Sequence, residues 1–171
     1  MQNHEQFMHS ALEEGQKALA EGEFPVGCVL VAGGRVVARA RRRNSSGAMA
    51  NELDHAEILA LRQLLAENPG AYCSALTVYS TMEPCLMCFA ALLLSGVRHF
   101  VWAYEDVMGG GTQLPLAQLN PLYAAMQVDI TSHVLRAESL ALFREFFDRH
   151  EYWRGSLLAA YTLSQSRERE A

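Results

Sequence analysis

The sequence predicts an α/β domain: a central sheet with helices on both faces. Strand-like and helix-like segments alternate around residues 55 and 85, half of the residues are hydrophobic while 19% are charged, and no repeat or linker divides the 171 residues. A soluble domain of this length buries roughly 68 to 70% of the surface its unfolded chain exposes, so it needs no disulfide staples. Residues 1–171 are therefore read as one domain, with 151–171 a C-terminal tail that is helical or partly frayed.

Each element follows from its periodicity. Residues 5–20 place Phe7, Met8, Ala11, Leu12, Ala18 and Leu19 along one side of a helix that Gly22 and Pro25 end. Val26 to Ala32 is an apolar run, Gly33-Gly34 suits a hairpin turn, and Arg35 to Arg41 alternates arginine with small apolar residues, which gives two antiparallel strands. The Ser-, Gly- and Asn-rich stretch 44–51 is loop. Asp54 can cap a helix beginning at His55, with Ile58, Leu61, Leu64 and Leu65 packed and Asn68-Pro69-Gly70 as its stop. A strand over 75–80 leads into Glu83-Pro84 and a short helix to about Leu94, with Pro84 at a start where no amide donor is needed. Val97 to Ala103 reads as a strand covered on both faces. Gly109-Gly110-Gly111 forces a flexible or tightly turned loop, 116–126 is weakly helical, 128–130 is a short edge strand, and 138–150 is a helix burying Leu140, Leu142, Phe143, Phe146 and Phe147.

Charge and targeting narrow the class. The net charge is -5 and Lys17 is the only lysine, which weighs against a large nucleic-acid footprint because backbone binding runs on basic surface. A local footprint stays open at Arg35, Arg39, Arg41, Arg42 and Arg43, where a solvated strand end is the alternative; Arg41, Arg42 and Arg43 are the candidate phosphate contacts. No apolar run is long enough for a membrane span and the first residues lack a secretion signal, so the expected setting is the cytoplasm, with no membrane partner. Cys28 reads as a small buried hydrophobe and Cys73, which follows a turn, as an ordinary thiol.

The chemistry concentrates in His55-Ala56-Glu57 and Pro84-Cys85-Leu86-Met87-Cys88. Cys85 and Cys88 stand three apart in the first turn of a helix, on one side, where unpaired amides and the helix dipole favour thiolates. His55 begins a different helix, and the two starts are expected to meet across the sheet. Two thiolates and one neutral imidazole bind one zinc and leave its fourth tetrahedral position open, the arrangement of a catalytic site; a structural zinc would need a fourth ligand, and none stands at an obvious spacing. Glu57 is two positions from His55 and need not touch the metal, so it can move protons while zinc-bound water attacks a carbon bearing an amino group and ammonia leaves.

At these residues the sequence resembles the cytidine deaminase-like zinc hydrolases, in the branch of bacterial tRNA wobble-adenosine deaminases and guanine and related nucleobase deaminases. The matching segments are Gly22-Glu23-Phe24-Pro25-Val26-Gly27, Asn44, His55-Ala56-Glu57-Ile58, Thr81-Met82-Glu83-Pro84-Cys85-Leu86-Met87-Cys88 and Val128-Asp129-Ile130 leading into Phe146-Phe147. The likeness implies a three-layer α/β/α sandwich around a five-stranded mixed sheet, and a homodimer. It implies that His55, Cys85 and Cys88 bind zinc and Glu57 is catalytic. By the same likeness Asn44, the Ala56 amide, Asp106, Val26, Glu83 and Pro84 meet the substrate; Asp106 has the alternative of a turn cap, and Asn44 of a loop brace.

The sequence departs from the tRNA pattern near the site. Asn51-Glu52-Leu53-Asp54 replaces the usual Asp-Pro-Thr-Ala lead-in, Met108 replaces a lysine, Gly109-Gly110-Gly111-Thr112 replaces a Gly-Ala segment with a serine, and the tail has no lysine-rich end. Several phosphate contacts of an anticodon loop are lost with these changes. The main expectation is thus deamination of a heterocyclic base or nucleoside, a purine because the resemblance points there and the glycine loop can make room for a fused ring. The alternative is wobble adenosine in tRNA. Leu86, Phe89, Leu92 and Leu93 offer an apolar face that either packs on the sheet or meets a partner subunit.

Overall fold

The computed structural model of the chain describes residues 4–70 and 73–165. In order, they form α1 (His4–Ala20), β1 (Gly27–Ala32), β2 (Arg35–Arg41), α2 (Ala56–Glu67), β3 (Thr77–Met82), α3 (Leu86–Leu94), β4 (His99–Tyr104), α4 (Pro121–Ala124), β5 (Asp129–Thr131), α5 (Arg136–Arg149) and α6 (Leu157–Ser164). The sheet order is β2-β1-β3-β4-β5. Antiparallel pairing joins β1 to β2 and to β3, with Val29 opposite Tyr79, and parallel pairing joins β3 to β4 to β5, with Tyr79 opposite Val101 and Val101 opposite Thr131. This is the expected five-stranded mixed sheet. Among the described residues no helix is long and apolar enough to cross a membrane.

Alternation along the strands divides the core between the two faces. Val29, Val31, Tyr79, Val101 and Ala103 pack with Phe7, Met8, Ala11 and Leu12 of α1 and Leu142 of α5. Cys28, Leu30, Val78 and Phe100 point the other way, onto Ala60, Leu61 and Leu64 of α2 and Phe89, Leu92 and Leu93 of α3. Cys28 is thus a buried apolar filler, and burial pushes its thiol well up. α1 sits close on β1 because two glycines meet: a Cβ on Gly27 would stand 2.1 Å from the Ala11 carbonyl oxygen and 2.4 Å from the Gly15 nitrogen. The chain between α1 and β1 is pinned by Phe24, whose ring lies 5.3, 5.2 and 6.0 Å from those of Phe143, Phe146 and Phe147. Such aromatic pairs add about 0.5–1.5 kcal/mol each beyond the area they bury.

Several boundaries differ from the sequence expectation. β3 and β4 each sit about two residues later than the hydrophobic runs suggest. Asp54 does not cap α2: His55 holds the N-cap position without a side-chain cap bond, while the Asp54 carboxylate accepts from Asn44 and Asn51. Cys85 is itself the N-cap of α3, so only Cys88 lies within the first turn. α2 and α3 lie on the same face of the sheet, so their starts meet side by side rather than across it. Of the apolar residues on α3, Phe89, Leu92 and Leu93 belong to the core and Leu86 is 54% exposed. The tail is helical over α6; the fraying expected at its end falls on positions 166–171, outside the described residues.

The tail is clamped by Glu105, just past β4. Its carboxylate accepts from Arg136 Nε at 2.8 Å and from the Tyr161 hydroxyl at 2.6 Å, joining the start of α5 and the body of α6 to the sheet. Burial works to raise the Glu105 pKa, but the Arg136 and Tyr161 hydrogen bonds outweigh it and hold it below the ordinary glutamate value. A depressed carboxylate contributes stability that is present above its unfolded pKa and lost as pH falls through its folded one. Glu105→Gln should therefore cost about 1–3 kcal/mol near neutral pH. In urea unfolding, the gap from the parent protein should close as pH drops below the usual glutamate value, about 4.3.

Candidate active site

The site forms where β3 and β4 end and β1 begins. Parallel β3 and β4 release their chains at the same edge, and antiparallel β1 brings its first residues there too. Ligands in open α/β sheets settle in such crevices beyond the carboxyl ends of strands. Here they bound a cavity of about 130 Å³ lined by Val26, Met82, Glu83 and Asp106, by His55, Ala56 and Glu57 from the start of α2, and by Cys85 from the start of α3.

His55 and the two cysteines converge because both helices begin here. His55 Nδ1 lies 3.5 Å from Cys85 Sγ and 3.5 Å from Cys88 Sγ, and the three ligand atoms fall within 4.8 Å of one another. A zinc with ordinary Zn–N and Zn–S bonds in tetrahedral geometry requires nitrogen and sulfur about 3.6 Å apart. The donor set therefore fits zinc in spacing as well as in kind. No fourth ligand atom joins the cluster among the described residues, so one coordination position stays open. The sulfurs titrate as a pair: the hydrogen bond to Cys88 draws the Cys85 thiol down to about 4, and Cys88 is pushed up by the same bond. Burial works to lower the His55 pKa, but Cys85 and the Glu57 carboxylate outweigh it, and the net shift is upward.

Glu57 sits beside this cluster without joining it. It is 3% exposed, its Oε1 accepts from the Ser80 hydroxyl at 3.0 Å, and its Oε2 lies 3.6 Å from Cys88 Sγ. Burial raises its carboxyl pKa, against the pull of His55. A carboxyl held in this way can take up and give back a proton. Ala56 is the first residue of α2, so its amide has no partner within the helix and is available at the cavity wall.

The other sequence-designated residues fall into two groups. Val26, Glu83 and Asp106 line the cavity, but both carboxylates are also at work in the wall. Glu83 accepts from the Asp106 and Thr112 amides, and Asp106 Oδ1 caps the turn by accepting from the Met108 and Gly109 amides at 3.0 and 2.9 Å. Pro84 contributes through its backbone, its carbonyl accepting from the Gly111 amide at 2.9 Å. Asn44 lies outside the cavity lining: it adopts a left-handed backbone, φ 54°, and its Nδ2 donates to Asp54. The arginine run is largely committed. Arg42, a candidate phosphate contact, is instead 2% exposed and donates to the carbonyls of Arg43 and Asn51, both at 2.6 Å. Arg41 is held by Glu21 and Glu14, and Arg43 is exposed.

Sequence reasoning missed part of the wall. Tyr152, Trp153 and Leu158 from the tail line the cavity, as do Phe24, whose ring packs on that of Tyr152, and Arg42 and Glu52. No local signal marks these residues, since the tail is 100 positions from Glu52, to whose carboxylate the Tyr152 hydroxyl donates at 3.0 Å. The glycine loop also differs from expectation: a Cβ on Gly111 would stand 2.7 Å from both the nitrogen and Cα of Leu86, and one on Gly110 would stand 2.5 Å from Glu83 Oε2. Of the three glycines only Gly109 lines the cavity, so Gly110 and Gly111 serve close backbone packing rather than space for a ring.

A two-thiolate, one-imidazole metal site at the strand ends of an α/β/α sandwich, with an independent buried carboxylate beside it, defines a zinc hydrolase. Residues 1–104 match the family model of the cytidine and deoxycytidylate deaminase zinc-binding region. The chain belongs to this family and is a zinc-dependent deaminase. It is 34% identical over 149 residues to the tRNA-specific adenosine deaminase of Bacillus subtilis, covering 86% of this chain and 90% of that one. Among solved structures it is similar to one from a study of A-to-I editing by tRNA:A34 deaminases, at 28% identity and TM-score 0.67 over 80% of this chain and 98% of that one. It is also similar to the guanine deaminase of Bacillus subtilis, at 26% identity and TM-score 0.53 over 60% of this chain and 65% of that one.

Because the atoms facing Gly111 are backbone, they cannot yield as a side chain would. Gly111→Ala should push the loop off the start of α3, cost about 1–3 kcal/mol and lower the zinc content of the purified protein. Thermal unfolding together with metal analysis checks both.

Proposed function

We propose that the protein hydrolytically deaminates a purine presented as a free base or nucleoside, with His55, Cys85 and Cys88 as its zinc ligands and Glu57 as its proton carrier. The observation that carries the substrate reading is the make-up of the wall: Tyr152, Trp153 and Leu158 of the tail line the cavity together with Glu52, which suits a small uncharged heterocycle better than a phosphate backbone. The likeness to a guanine deaminase supports a fused-ring substrate.

Zinc in this site supplies a Lewis acid that lowers the pKa of water far enough to make a nucleophile near neutrality. Glu57 takes the proton that water gives up and passes it to the ring nitrogen beside the attacked carbon. A C–O bond forms there and the carbon becomes tetrahedral. Glu57 then takes the second proton from the new hydroxyl and delivers it to the departing amine as the C–N bond breaks and the C=O bond forms, so water and substrate yield the ring carbonyl and ammonia. Ser80 Oγ holds one carboxylate oxygen in place during these transfers. The Ala56 amide donates to an acceptor on the base, and Val26, Met82 and Phe24 exclude water around the ring.

Wobble adenosine in tRNA is the second reading, favoured by the 34% identity to a tRNA-specific adenosine deaminase along most of both chains. Of the three candidate phosphate contacts it leaves Arg43 exposed, since Arg42 is buried and Arg41 is paired. A homodimer belongs to the same proposal: Leu86 and Leu94 on α3 and Val107 and Met108 on the neighbouring loop are exposed apolar residues that a second copy can cover. Sedimentation at the mass of a monomer would remove the dimer.

Ammonia release should be measured across adenine, guanine, cytosine, their nucleosides and an anticodon stem-loop. The main reading expects turnover of a free purine or its nucleoside, and turnover confined to the stem-loop would replace it with the second. Glu57→Gln should keep one zinc per chain by metal analysis while turnover falls at least 1,000-fold, on the order of what a positioned acid–base group contributes. Retained turnover in that variant would sink the assigned proton path.

A further inference from the structure

Glu52 stands beside His55 with no part in the chemistry above, yet its carboxylate is the meeting point of three segments. We infer that Glu52 is the positioning residue for His55 and ties the metal ligand to the tail at the cavity wall. The inference rests on the reading of His55 Nδ1 as a zinc ligand.

The geometry begins at the imidazole. With Nδ1 turned to the two sulfurs at 3.5 Å, the ring's other nitrogen, Nε2, faces Glu52 Oε2 at 3.8 Å. A ligating Nδ1 must be unprotonated, so the neutral ring carries its proton on Nε2, and that proton needs an acceptor. A carboxylate there fixes the tautomer and the ring's orientation and raises its basicity as a ligand. The separation is slightly longer than a direct hydrogen bond and within reach of one bridging water.

A lone surface glutamate would be a poor orienting group, because its side chain is flexible and water screens it. Glu52 is 59% exposed at its side chain, but it is held from two other sides. Arg42 Nη2 donates to Oε2 at 3.2 Å, and Arg42 is itself fixed by two backbone carbonyls. The Tyr152 hydroxyl donates to Oε1 at 3.0 Å and contacts Oε2 at 3.3 Å. This accounts for a fully buried arginine in a chain with a net charge of -5: it anchors the carboxylate that faces the ligand. Residues 51–54 are also where the sequence leaves the family's usual lead-in, so the device comes with that change.

The test is zinc competition against a chelator on the zinc-loaded full chain, with steady-state kinetics beside it, for His55→Ala, Glu52→Gln, Glu52→Asp and Tyr152→Phe. Glu52→Gln keeps the size of the side chain and should weaken zinc binding by about 10- to 100-fold, the usual consequence of losing such a partner. Glu52→Asp keeps the charge and should recover part of that loss. Tyr152→Phe removes one of the two restraints on Glu52 while Arg42 keeps the other, so it should raise KM and cost clearly less zinc affinity than Glu52→Gln, a split that a merely structural role for Glu52 does not produce. Parent-like zinc affinity in Glu52→Gln, with zinc lost from His55→Ala, overturns the inference and leaves the ligand reading intact. Equal zinc loss in Glu52→Gln and Tyr152→Phe also overturns it, because Glu52 would then act only by holding the tail. Zinc retained at parent affinity in His55→Ala removes the ligand reading itself.

Discussion

The parallel pairing of β3 with β4, next to an antiparallel β1, is the constraint on which the rest of the molecule depends. With Met82 opposite Tyr104 and Cys28 opposite Ser80, the ends of two strands and the beginning of a third arrive at one edge. Much of the site leaves from that edge, with Cys85 and Cys88 after β3, Asp106 after β4 and Val26 before β1, while His55 and Glu57 arrive there on the start of α2. The alternation of the sheet then assigns Ser80 to the face covered by α2, where its hydroxyl reaches Glu57. A one-residue slip of β3 would turn Ser80 to the α1 face and leave the buried carboxylate without that donor.

Convergence of two helix starts supplies the electrostatics. His55 and Cys85 hold N-cap positions with extended backbones, so neither side chain is used to cap its own helix and both remain available to a metal. The free amides at those starts favour negative charge, which suits thiolates. Glu57 lies two residues on, buried in the first turn of α2, where burial raises its carboxyl pKa. One short segment thus carries a ligand and a proton carrier in opposed surroundings, one at the rim of the helix and one in its buried first turn.

Local spacing made the centre of the site legible in the sequence. His55, Glu57, Cys85 and Cys88 lie within three positions of a helix start, and a helix start fixes where such side chains point. The sheet and its helices were legible for the same reason, because their faces repeat every two or about 3.6 residues. The walls were not. Arg42 sits in a run that alternates like a solvated strand end, and only the fold turns it inward. Glu52 and Tyr152 are 100 residues apart, and no periodicity announces their bond. Gly110 and Gly111 read as a flexible or tightly turned loop, and neighbouring backbone and the Glu83 carboxylate select the tight form. Asp54 has the residue type of a cap, but two asparagine amides claim its carboxylate first.

The tail is placed with few fully buried side chains of its own. Its buried contributions to the core are small, chiefly Leu158 and Ala159, with Thr162 bonded to Tyr104. Its placement is set at two ends by ring packing together with polar contacts: Tyr152 lies against Phe24 and Phe146 and donates to Glu52, and Tyr161 stacks on Tyr104 and donates to Glu105. Polar contacts of this kind contribute about 0.5–3 kcal/mol each, while the sheet and its two helix layers share dozens of buried apolar side chains. Tyr152 joins the aromatic cluster around Phe24 to the carboxylate that faces His55, so the packing of the tail and the polar contacts of the site meet in one side chain.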